Sequence, residues 1–196
     1  ALTTATISGN SGLVSIASDK FTTLNYSNSN QSANITAAAG TRDLTLNLNK
    51  ITGGTITDAN ATGLTVNNTG AASTLTIAAA AAKAITLNAD EKLTLTALND
   101  AVVETLTVKG DSLVTISAGT FDSANLKSID ASASTGGLKL STADVLNVAT
   151  SFTGSSAADE VTVGATTKAI SMGAGDDTVT MSVAVGTNGS VDAGEG

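Results

Sequence analysis

Short apolar–polar–apolar phrases recur along this chain at a nearly constant step, and that step restricts the fold more than any other feature. They read LTLNL at 44–48, TIT at 55–57, LTV at 64–66, LTI at 75–77, ITL at 85–87, LTL at 93–95, LTV at 106–108, VTI at 114–116, LKSI at 126–129, LKL at 138–140 and LNV at 146–148. Alternation of this kind is the period of a β-strand with one buried face. Taking every second phrase, Leu46, Val66, Leu87, Val108 and Ile129 follow one another at an even step, the length of one turn of a repeat coil. A sandwich, whose loops vary in length, gives no such regularity. Parallel strands normally need long crossovers, but in a coil the crossover is the rest of the turn, so about 20 residues suffice. Gly, Asn and Asp mark the corners, as in GGT at 53–55, NNTG at 67–70, NAD at 88–90, KGD at 109–111 and TGG at 135–137. The alanine-rich stretch 78–84 is too short for an independent helix and reads as a small-residue corner or a single helical turn. The fold expected is all-β, a right-handed parallel β-solenoid.

Composition agrees with repetition. The 196 residues include no Cys, His, Pro or Trp, and the aromatics are Phe21, Tyr26, Phe121 and Phe152. A core with so few aromatics must come from stacked Leu, Ile, Val and Ala, each coil burying its face against its neighbours. Without His or Cys, the usual zinc shells and the common nucleophile and general-base arrangements are unavailable, and no enzyme is expected. A net charge of −8 argues against nucleic acid. The longest apolar run, around Ile77–Ala82, is far shorter than the roughly 20 residues of a spanning helix, so membrane insertion is not expected.

After residue 150 the step tightens. Three nine-residue frames run from 154 to 180, GSSAADEVT, VGATTKAIS and MGAGDDTVT, with Val161, Ile170 and Val179 at the eighth place. The sixth place holds Asp159, Lys168 and Asp177, so an acid recurs in every second frame. Such frames read as about six residues of turn and three of strand. Gly173 and Gly175 can adopt strained dihedrals that aim carbonyl oxygens inward, and Asp177 adds a hard carboxylate. Calcium takes roughly 6 to 8 oxygens, more than one loop offers. Two loops one coil apart, around Asp159 and Asp177, could fill a shell.

MGAGDDTVT resembles the RTX nonapeptide GGxGxDxUx, with Met172 at the first glycine, and GATTKAISMGAGDDTVT at 164–180 is similar to segments of RTX surface-layer (S-layer) proteins of Gram-negative bacteria. GSVDAGEG at 189–196 looks like the start of the next RTX turn, with Ala193, Gly194 and Gly196 on its first, second and fourth places. The close resemblance covers about the last quarter of the chain. It implies a secreted, cell-surface structural protein that self-associates with calcium into a two-dimensional lattice, with any polysaccharide bound through regions outside this sequence. The chain then divides into a solenoid at 1–150 and the start of a calcium-binding β-roll at 151–196, truncated within the next motif. The ligand residues implied are Gly154, Asp159, Gly173, Ala174, Gly175, Asp177, Gly194 and Gly196, in one site between the Asp159 and Asp177 turns and a second between the Asp177 turn and that begun at Ala193. The first frame departs from the motif, since Ser155 and Ala157 replace two glycines.

Other readings remain. Phrases such as FTTLNYSNSN at 21–30 resemble leucine-rich repeats, and a horseshoe is the competing fold. The repeat region of an RTX adhesin or toxin would have similar coils. Threonine pairs at 55–57, 74–76 and 94–96 suggest an ice-binding solenoid, but TLT at 105–107 falls half a coil later and breaks the column. Asp90 and Asp111 are spaced by one coil, as are Asp100, Asp122 and Asp144; the simplest expectation for them is solvated turns. Adjacent Asp176 and Asp177 point to opposite faces on an extended segment, so an acid and base pair is not expected.

Overall fold

A computed structural model of the chain describes residues 1–121, 124–141 and 145–196, and these form a β-solenoid of about 9 turns. The described residues contain twenty strands and no helix. In chain order they are β1 Thr4–Ser8, β2 Val14–Ala17, β3 Thr23–Ser29, β4 Ala33–Thr36, β5 Asp43–Ile51, β6 Thr55–Asp58 and β7 Gly63–Asn68. There follow β8 Ser73–Ala78, β9 Ala84–Ala89, β10 Leu93–Asn99, β11 Thr105–Gly110, β12 Val114–Ile116, β13 Ser128–Ser134 and β14 Leu138–Leu140. The last are β15 Val145–Leu146, β16 Ser151–Thr153, β17 Glu160–Val163, β18 Ala169–Ser171, β19 Thr178–Met181 and β20 Ser190–Asp192.

Two all-parallel sheets alternate along the chain. The first runs β1-β3-β5-β7-β9-β11-β13-β16-β18-β20, and the second stacks the even strands from β2 to β14, then β17, which β15 and β19 both join. Each coil thus contributes a strand to both sheets. The horseshoe is excluded, because it has one sheet where this chain has two. The reason lies in the coil itself, where two apolar phrases each need a buried face. The register confirms Leu46 on Val66, Val66 on Leu87 and Leu87 on Val108. It departs at the next step, since Ile129 pairs with Leu106 in place of Val108, and the ladder slips between Thr107 and Lys109. The two-place offset of Ile129 keeps the same face inward, so the core tolerates it, and the irregularity after Thr107 adds one residue to β13. The less regular segment 1–43 joins the same stack, with Thr4 of β1 on Thr23 of β3 and Val14 of β2 on Ala33 of β4. The stretch 79–83 is a corner without a helix.

Inward-facing side chains form one column of Leu, Ile, Val and Ala, from Ile16 to Met172. Burial of each large aliphatic side chain stabilises by about 1.5–3 kcal/mol. All four aromatics lie within it, none more than 1% exposed. The Tyr26 hydroxyl finds partners in the Ser29 hydroxyl and the Gln31 carbonyl, both at 2.8 Å. The stack continues across residue 150, where β13 pairs with β16 and Phe152 sits between Ile129 and Ile170. The coil from Phe152 to Ile170 is visibly shorter than the one from Ile129 to Phe152, so the tighter step of the nine-residue frames survives in the stack.

Outside, the first sheet carries two polar columns. Thr4, Thr23, Thr45, Thr65, Thr86 and Thr107 stand in register. Two places along, Asn25, Asn47 and Asn67 form a ladder: Asn67 donates its Nδ2 to Asn47 Oδ1 at 2.8 Å, Asn47 to Asn25 Oδ1 at 2.7 Å, and Asn25 to Thr6 Oγ1 at 2.9 Å. The threonine pairs considered from the sequence lie in the second sheet, where Thr55 meets Thr76. The regular threonine column belongs to the first sheet.

The chain's one arginine is internal. Arg42 Nη2 donates to both oxygens of Asp58 at 2.6 Å and Nη1 to the Phe21 carbonyl at 2.9 Å. Asp58 Oδ1 also accepts the Asn60 and Ala61 amides, each at 3.0 Å. Lys83 and Lys127 pair with Glu104 across three adjacent coils in the open.

Candidate metal centre

The corners that lead from the first sheet into the second bring the RTX-like residues together. Gly173 rests on Ser155 and Gly194 on Gly173, so closely that a Cβ on either glycine would collide with the carbonyl oxygen below. Gly175 stacks likewise on Ala157, and Gly196 on Gly175. Gly154 lies against the Met172 carbonyl, and Ala174 bridges to Glu195. Glu160 pairs with Thr178, which puts Asp159 beside Asp177 in adjacent coils. All eight residues implied as ligands therefore share one edge of the solenoid. Met172 is wholly buried; its side chain joins the core. Lys168 precedes β18 at the opposite edge and is exposed.

Both aspartates perform the same structural act. Asp159 Oδ1 accepts the Leu138 amide at 2.5 Å, and Asp177 Oδ1 accepts the Asp159 amide at 2.8 Å. Each carboxylate thus satisfies an amide at the start of a strand one coil back, which would otherwise be a donor without a partner.

The second oxygens differ. Asp159 Oδ2 accepts the Ser155 amide at 2.6 Å and the Ser155 hydroxyl at 2.9 Å. One coil later the place of Ser155 is taken by Gly173, which has no hydroxyl, and Asp177 Oδ2 is buried without a hydrogen-bond partner. A buried carboxylate oxygen left this way is costly unless a proton or cation meets it. Burial pushes the Asp159 carboxyl above the ordinary range, against the hydrogen bonds from Ser155 and Leu138, and the Asp177 charge pushes the same way as burial.

Backbone oxygens at this edge already have partners. Ser155 O accepts from the Ala174 amide at 3.1 Å, Gly173 O from Glu195 at 2.9 Å, and Gly175 O from Asp177 at 3.0 Å. A carbonyl has two lone pairs, so each keeps one for another donor or an ion. Beside them Gly175, Asp176, Asp177, Thr178, Ala193, Gly194 and Gly196 line an open groove. Among the described residues there is no group of three or more acidic, His or Cys side chains poised for a metal. The residues present therefore fit a calcium ion in part: a free carboxylate oxygen, the exposed Asp176 carboxylate and backbone carbonyls.

Ser155 was missed from the sequence because it stood as a departure from the motif. Its place shortly before Asp159 in the same corner was the available signal, since a hydroxyl there reaches the carboxylate. Of the remaining acids, Asp90 and Asp111 are exposed turn residues. Asp100 is 1% exposed, so the expectation of a solvated turn fails for it. Asp122 and Asp144 lie outside the described residues.

No helix among the described residues is long and apolar enough to cross a membrane. No protein-family model matches the chain, and no curated protein matches it.

Proposed function

We propose that this chain is a structural segment of a secreted RTX-type surface-layer protein, in which calcium at the C-terminal edge favours folding and then contact between protomers in a two-dimensional lattice. The observation that carries the reading is the unpartnered Oδ2 of Asp177 beside a glycine-lined groove, where the preceding coil fills the same position with Ser155. Asp177, Asp176 and the carbonyls of the Gly173–Gly175 and Ala193–Gly196 corners would hold the ion. Calcium supplies positive charge that none of the neighbouring residues at the groove provides. Because such a site exists only in the folded state, binding adds RT ln(1 + [L]/Kd) to stability. The long solenoid before it offers two polar, weakly charged faces suited to packing in sheets.

Calorimetric calcium titration of the chain tests this, with Asp177→Asn expected to lose far more affinity than Asp176→Asn. Equal behaviour of the two variants, or no heat from the unmodified chain, removes the reading. Electron microscopy of the assembled protein with and without calcium separates lattice from adhesin or toxin: ordered sheets support the former and isolated rods the latter.

A second reading has one observation in its favour. Six threonines in register, at about 4.8 Å per coil, with an asparagine ladder beside them, form the kind of hydroxyl and amide array that orders water as ice does. An assay of ice recrystallisation with Thr65→Lys and Thr86→Lys would decide it. Activity lost in that variant favours ice; no activity in the parent chain excludes it.

A further inference from the structure

Two buried carboxylates occupy equivalent corners two coils apart, and only one has a cation. In the second sheet Ile56 pairs with Ile77, which pairs with Leu98, so Asp58 and Asp100 both lie over Ala79. Asp58 is held by Arg42. Asp100 is 1% exposed; its Oδ1 accepts the Val102 amide at 2.9 Å, and its Oδ2 is buried with no partner.

Among the described residues the surroundings supply no compensating charge. The coil before it contributes Ala79 and Ala82, both buried, and Lys83, whose ammonium is exposed and paired with Glu104. The coil after contributes Phe121, Leu126 and Lys127, and Lys127 is likewise paired with Glu104 in solvent. Glu104, on the same corner as Asp100, faces outward to those lysines. Asp122, in the next coil, lies outside the described residues.

We propose that the 100–104 corner is an acid-tightened latch, in which Asp100 is neutral when the corner is closed most firmly and strains it when ionised. Protonation removes the uncompensated buried charge while Oδ1 still accepts the Val102 amide. Desolvation by burial supports this, outweighing the backbone amides of Val102, Val103 and Ala82 and raising the Asp100 carboxyl from 3.8 to about 6. An acid whose folded pKa is raised contributes its stability in acid and loses it as pH rises through that interval. The window therefore runs from about pH 4 to about pH 6. The device is independent of the calcium edge, which lies on the opposite side of the coil.

Chemical denaturation of the full chain, with calcium chelated, at pH 5 and pH 7.5 tests the proposal, using Asp100→Asn and the exposed control Asp90→Asn. The parent chain and the control should both gain stability on acidification relative to Asp100→Asn, by about tenfold in the folding equilibrium constant. An equal pH response in all three proteins overturns it. If Asp100→Asn does not fold, the carbon-13 shift of the Asp100 carboxyl in the parent chain decides. A midpoint near 6 upholds the latch, and one in the ordinary carboxylate range overturns it.

Discussion

Replacing Arg42 with methionine keeps most of the apolar stem and removes the guanidinium, leaving the Asp58 side chain at 2% exposure with only the Asn60 and Ala61 amides as donors. Two contacts of 2.6 Å and the bond to the Phe21 carbonyl vanish together. Breaking one partner from a buried pair costs about 3–5 kcal/mol, against a typical total of about 5–15 kcal/mol for a domain. The expected result in urea denaturation is a large fall in midpoint. Hydrogen exchange should accelerate first in the coils carrying β5, β6 and β7, because each coil leans only on its neighbours. Adding Asp58→Asn to Arg42→Met should recover half or more of the loss, since asparagine keeps an oxygen for the two amides and drops the charge. A single variant within about 1 kcal/mol of the parent, or no recovery in the double variant, would falsify the view that this pair anchors the corner.

Three further outcomes are expected. Gly173→Ala should cost well over the roughly 1 kcal/mol of a left-handed alanine, because φ is +93° and its Cβ would collide with the Ser155 carbonyl oxygen. Gly9→Ala, with φ +64° and open space around it, should cost only that conformational term, and equal losses of thermal stability would contradict the stacking argument. Asn47→Ala should cost about 1 kcal/mol in denaturation, since it removes the middle of the ladder; a neutral result would mean that water replaces both bonds. Ser155→Gly should remove the hydroxyl from Asp159 Oδ2 while keeping the backbone amide, and raise calcium uptake at the C-terminal edge, measured by titration; unchanged uptake would show that the hydroxyl does not stand in for an ion.

Strand alternation nested within an even coil step determined the architecture, because a strand face that must be buried every half coil leaves a two-sheet solenoid as its solution. The recurrence of an acid in every second nine-residue frame likewise placed Asp159 beside Asp177. Legibility failed where a residue's role depends on what the adjacent coil presents. Asp58 and Asp100 look alike in the sequence, yet one meets Arg42 and the other meets alanines. Ser155 looked like a damaged motif, yet within its own corner its hydroxyl completes the Asp159 carboxylate, where one coil later Gly173 leaves Asp177 open. The pairing of Ile129 with Leu106 was equally hidden, since moving a strand by two places preserves the pattern that sequence reading relies on. Local alternation fixes which face turns inward; register between coils, a tertiary quantity, decides which polar groups meet there and hence where a cation is wanted.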